Sequence, residues 1–184
     1  MEKNQSSGEF SESQRAGLEV RQADQDRTLA GMHRLEAMLA AAAPGREQEW
    51  RFEVLAALVA LGEATTEEAD NAQAPDSLLS DLARTQPWLR NRVRGVRLQY
   101  QHIRHSLGSL RQELEQASGA ADYADTRQRL GWVLTGLRHQ RARESDLIYE
   151  AYYDAFRADL AAETGPKTLT DRHEPSNKPD HDDN

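Results

Sequence analysis

Apolar residues recur along this chain at alternating three- and four-residue intervals, the spacing of a helix that buries one stripe. The pattern is cleanest at Val93, Val96, Tyr100, Ile103, Leu107, Leu110 and Leu114, and Ser118-Gly119 ends it. Leu130, Leu134, Leu137, Ile148, Ala151 and Ala155 mark another stripe within Leu130 to Phe156, with Arg141 and Glu144 at its middle. An apolar seam interrupted by ionisable groups is either a site or a buried ion pair. Upstream, Leu18, Gln22, Gln25, Leu29, Met32, Glu36 and Leu39 keep the spacing as far as Pro44-Gly45. Phe52, Leu55, Val59, Gly62, Thr66 and Ala69 keep it through a second helix, from roughly Glu47 to Asp70.

The stretch 71–88 holds Pro75, Pro87 and a short helical candidate, LLSDLA, with Asp76 or Ser77 as its cap. Asp122, with Asp125 three residues on, is the candidate cap of the last long helix, which runs to about Glu163 before Gly165-Pro166. Four long amphipathic helices, joined by short turns and one longer crossing segment, predict an all-α, antiparallel up-down four-helix bundle over residues 13–163. The polar stretches 1–12 and 164–184, the second acidic, predict disordered tails.

Composition narrows the function classes. With 184 residues and 38% hydrophobic content, the chain suits one domain plus tails. No run approaches the roughly 18 apolar residues of a membrane span. The opening MEKNQSSGEF lacks the apolar core of a secretory signal, so a soluble, cytoplasmic protein without a membrane partner is expected. The absence of cysteine excludes disulfides, thiolate metal sites and thiol catalysis. A net charge of −8 argues against nucleic acid as a partner. The arginines between Arg84 and Arg111 are spread round their helix and predict a solvated face.

Side chains from facing helices converge in a bundle core, and metal sites are built there. Candidates are His33 and Glu36, then Glu63 and Glu67, then Tyr100, His102 and His105, and finally His139 and Glu144. Glu63 and Glu67, four apart, share a face, as do His102 and His105, three apart. Imidazole with carboxylate suits iron, manganese or zinc. The acids of Glu63-Ala-Thr-Thr-Glu67-Glu68, the last-helix pair His139 and Glu144, and the proline-led third helix resemble a hemerythrin-like domain.

The resemblance covers roughly Thr28 to Phe156 and implies four antiparallel helices around a centre of one or two irons. By it, His33 matches the first-helix ligand, Glu67 the bridging acid, and His139 with Glu144 the last-helix pair. The family's second-helix histidine falls at Glu63, and Tyr100 stands in a third-helix ligand place, leaving His102 as the alternative. The implied metal set is therefore His33, Glu63, Glu67, His102, His139 and Glu144, a depleted version of the family's. The competing expectation is a metal-free interaction protein on the same scaffold. In it, Glu67, Glu144, Arg104 and Arg141 form an ion-paired layer, and His102 and His105 lie at the rim.

Tyr149, Tyr152, Tyr153 and Phe156 crowd the end of the last helix and cannot all face the seam. They mark either the capping of the bundle end or a patch for a protein partner or a second copy. His105-Ser-Leu-Gly-Ser-Leu faintly resembles a histidine phosphotransfer motif, but the lysine and following glycine of that family are not both present. No serine elbow, glycine-rich phosphate loop or ordered acid–base set appears, and the chain is not expected to be an enzyme.

Overall fold

The computed structural model describes residues 9–41, 44–116 and 123–164, and these are helical without a strand. The elements are α1 (Glu12–Ala40), α2 (Glu47–Gln73), α3 (Leu78–Thr85), a single 3-10 turn (Pro87–Leu89), α4 (Arg90–Gln116), α5 (Tyr123–Ala151) and α6 (Tyr153–Thr164). No described helix is long and apolar enough to cross a membrane. Asp122, Ser118-Gly119, Gly165-Pro166 and most of both predicted tails lie outside the described residues.

Local chemistry sets the boundaries. Ser11 opens α1 with a reciprocal box: its hydroxyl accepts from the Gln14 N–H at 3.2 Å, and its own N–H donates to Gln14 Oε1 at 3.0 Å. The expected N-terminal tail is thus structured from Glu9 onward, and Phe10 is buried edge-to-face on Phe156 with a centroid distance of 4.8 Å. Gly45 turns the chain into α2 at φ 77°, a left-handed conformation that costs glycine least. Ser77, rather than Asp76, caps α3, its hydroxyl accepting from the Ser80 N–H. The expected last helix is interrupted at Tyr152 alone. There the Tyr152 and Phe156 amides still donate to the carbonyls of Ile148 and Tyr152, both at 3.0 Å.

Among the long helices, α1 packs on α2, α2 on α4 and α4 on α5. Side chains then tie α5 back to α1: Arg21 reaches Glu144 and Ser145, Arg138 reaches Glu36, and Arg141 Nη1 donates to the Gln25 carbonyl. Gly31 allows the closest approach of α1 to α2, since a Cβ there would lie 3.3 Å from the Leu61 Cα. The apolar interior falls into two clusters. One centres on Trp50, Leu58, Leu107 and Leu137, near the α1–α2 turn. The other centres on Leu79, Leu82, Val93 and Ile148, under α3.

The inward rows follow the expected stripe fully in α4, where all seven stripe residues are buried. Elsewhere they depart in part: Gln25 and Met32 of α1 and Leu130, Leu134, Leu137, Glu144 and Ile148 of α5 turn inward as expected, but neighbouring positions do not. In α2 the buried row is Val54, Leu58, Leu61, Thr65 and Glu68, while Phe52 is exposed. In α1 it is Gln25, Thr28, Met32 and Leu35, while Leu29 is exposed. In α5, Gln140 takes the inward place expected for Arg141. In α2 the departure has a physical cause: residues 54–61, VLAALVAL, are apolar on every side, so packing against α1 and α4 decides which face turns in.

Candidate functional site

Between the two apolar clusters the interior is polar. Thr28 of α1, Thr65 and Glu68 of α2, Tyr100 of α4, and Gln140 and Glu144 of α5 are all buried there, Glu68 at 4% exposure and Glu144 at 3%. Each lies on an inward row that also carries apolar residues, so the helices that build the core also place these groups. The Thr65 hydroxyl turns back to the Leu61 carbonyl at 2.8 Å, which removes it from the network.

Thr28, Glu68, Tyr100 and Glu144 form one chain of hydrogen bonds. The Tyr100 hydroxyl lies 2.6 Å from Glu144 Oε2 and 3.1 Å from Glu68 Oε1. A phenol has one proton to give, so it cannot serve two carboxylates at once. The shorter bond assigns that proton to Glu144. Burial pushes the Glu68 carboxyl above its ordinary value. The Thr28 hydrogen bond opposes the shift, the charge of Glu144 reinforces it, and Tyr100 and Arg141 oppose it. The Thr28 hydroxyl supplies the other Glu68 oxygen at 2.6 Å, and Arg21 Nε reaches Glu144 Oε1 at 3.2 Å. Burial first, then the adjoining charges of Glu144 and Glu68, hold the Tyr100 phenol far above the ordinary tyrosine range, so its proton stays in place.

A cavity of about 260 Å³ opens beside this chain, between α1, the end of α2 and α3. Glu68, Tyr100 and Glu144 reach its wall, together with Arg21, Asp24 and Asn71. Asp24, itself buried, accepts from Asn71 Nδ2 at 3.0 and 3.1 Å and pairs with Arg27. Ala16, Gly17, Val20, Leu78 and Leu79 form the apolar side.

Comparison of the chain with protein-family models, curated proteins and solved structures finds no match. The geometry therefore carries the functional argument by itself.

Of the residues expected to hold metal, Glu144 is buried in the layer. His33, Glu63, Glu67, His102 and His139 are exposed. Glu67 pairs with Arg27 at 3.0 Å on the surface, one position from the acid that turns inward. His139 likewise sits one position from the inward Gln140. His102 and His105 line an open groove between α4 and α5 beside Trp132. The expected ionic layer also changes partners: Arg104 pairs with Asp70 outside, and Arg21 is the arginine that meets Glu144. Sequence reasoning missed Glu68, Thr28 and Arg21. The available signal for Glu68 was the i, i+4, i+7 row Leu61, Thr65, Glu68, which runs parallel to the row chosen.

An iron centre of the hemerythrin-like kind does not fit this layer. Its donors are two carboxyls, hydroxyls and an amide with no imidazole, and each carboxyl oxygen already has a hydroxyl or guanidinium partner. Among the described residues no group of three or more His, Asp or Glu is arranged to hold a metal ion.

Proposed function

We propose that this chain is a metal-independent helical binding module. In this reading the four long helices form an antiparallel up-down bundle of hemerythrin-like type, and the chain works by binding, without catalysis. One observation carries it: the Tyr100 hydroxyl bridges Glu68 and Glu144, with Thr28 and Arg21 completing their hydrogen bonds. In a depleted metal site, a proton and a guanidinium supply the positive charge that a metal supplies in a complete one. A layer so closed also sets the register of four helices, because a one-residue slip would bury these groups without partners.

Binding surface remains on the outside. Tyr149 and Tyr153, 52% and 44% exposed, stand edge-to-face at 5.6 Å on the α5–α6 side. They offer the aromatic area that protein interfaces favour. Measuring iron and zinc in the purified full chain tests the proposal. Far less than one metal per chain is expected, with a melting temperature unmoved by added Fe²⁺ or Zn²⁺. One or two irons per chain, lost in Glu68→Ala and Glu144→Ala, would overturn it.

A further inference from the structure

The cavity between α1, α2 and α3 has a charge imbalance that its own residues do not resolve. Four acidic side chains line it, Asp24, Glu68, Asp76 and Glu144, against the single guanidinium of Arg21. Two of the acids have a cation of their own: Glu144 has Arg21, and Asp24 has Arg27. Asp76 is exposed and solvated. Glu68 differs from all three. It is buried, its hydrogen bonds go to two hydroxyls, and among the described residues it forms no ion pair. Arg141 acts on it only at longer range, with Nη1 held by the Gln25 carbonyl.

Val20, Leu78 and Leu79 give the cavity an apolar wall as well. The space, about 260 Å³, lies just below the roughly 300 Å³ at which ordinary ligand pockets begin. A molecule of a few heavy atoms, cationic at one end and aliphatic at the other, matches both walls. A bare divalent ion matches only one.

We propose that this cavity binds a small organic ammonium ion with a short aliphatic tail, its head against the Glu68 carboxyl and its tail against Val20, Leu78 and Leu79. The proposal rests on the metal-independent reading above. The head group supplies the cation that Glu68 lacks, within reach of Asp24 and Glu144. The cavity floor is buried, so the attraction is far less screened than at the surface.

Calorimetric titration of the full chain with n-butylammonium chloride tests this, with n-butanol and Mg²⁺ as comparisons. Saturable binding of one butylammonium per chain is expected, without comparable binding of either control. Glu68→Gln keeps the size and removes the charge of the side chain, and should weaken butylammonium about tenfold or more. In the unaltered chain, amide shifts on titration should centre on Gly17, Asn71 and Leu78, a result that needs no variant. Absent saturation, equal binding of butanol, preference for Mg²⁺, unchanged affinity in folded Glu68→Gln, or shifts centred elsewhere would each overturn the proposal. Metal analysis of the same sample separates the two failures. A metal-free chain that ignores butylammonium sinks this inference alone, whereas stoichiometric iron sinks the reading beneath it.

Discussion

The core beside the α1–α2 turn and the polar layer next to it are built from the same four helices, a turn or so apart, and are held by different means. In the first, Trp50 is fully buried among Val54, Leu58 and Leu114, with Tyr123 edge-to-face at 5.1 Å and the Arg127 guanidinium 4.9 Å over its ring. Its one polar atom donates to the Met38 carbonyl at 2.9 Å. Area and close packing stabilise that end, and neither depends on pH. In the layer, little apolar area is gained and the two carboxyls depend on hydrogen-bond partners. The contrast shows where each end is vulnerable: the first to lost volume, the second to a lost proton or donor.

The largest effect expected is therefore at the apolar end. Trp50→Ala should cost about 3–5 kcal/mol by the usual penalty for emptying an aromatic site. Denaturant unfolding followed by helical circular dichroism would measure it. A loss below about 1 kcal/mol would mean that the two ends do not differ as described.

Tyr100→Phe sharpens the other side. It removes a single oxygen and leaves Glu68 and Glu144 facing each other without the hydroxyl between them, so about 1–3 kcal/mol should be lost. If the loss comes from stranded carboxyls, adding Glu68→Gln should recover a substantial part of it. A simply additive double variant would show that the bridge is not the coupling element.

Glu68→Gln alone gives a pH signature. The carboxyl is raised in the folded chain, so its stabilising contribution is complete below the ordinary carboxyl range. That contribution is lost as pH rises through the folded value. The glutamine does not titrate. The variant should match the parent at acid pH and gain on it as pH rises, by less than the Tyr100→Phe effect. Melting curves over that range would show it, and a gap of opposite slope would mean that burial does not raise this carboxyl.

Gln140 lies in the same layer, and its Nε2 has no hydrogen-bond partner among the described residues. Gln140→Leu keeps the bulk and removes an unpaired donor, so stability should hold or rise by up to about 1 kcal/mol. A clear loss in thermal unfolding would show that the amide has a polar role.

How far the sequence revealed this arrangement depends on the helix. In α4 polar residues separate the stripe members, so only one face can be apolar and Val93 to Leu114 all turn inward as read. In α2 two adjacent rows are equally apolar over Val54 to Leu61, and only contact with α1 and α4 selects between them. The expected site took Glu67 from the hemerythrin-like resemblance, one position from the inward Glu68. In α5 an inward acid at Glu144 was legible because it interrupts a strong stripe. Its partner Arg21 was not, since an arginine on polar α1 carries no mark of the helix it will face. The polar character of the layer was thus readable, while its pairings required the fold.

The smallest effect expected sets the scale for the ionic contacts. Arg129 holds Glu113 with two bonds, of 2.5 and 2.8 Å, a better geometry than the single 3.2 Å bond from Arg21 to Glu144. Yet Arg129 and Glu113 are 36% and 49% exposed, so water and salt compete with both partners. Their double-mutant coupling should be about 0.5 kcal/mol or less and fade with added salt. The Arg21–Glu144 coupling should exceed it and resist salt, because removing Arg21 leaves a buried carboxylate short of a donor. Equal couplings, or an Arg21–Glu144 term that salt erases, would place the layer in contact with bulk solvent and remove the distinction between it and the surface.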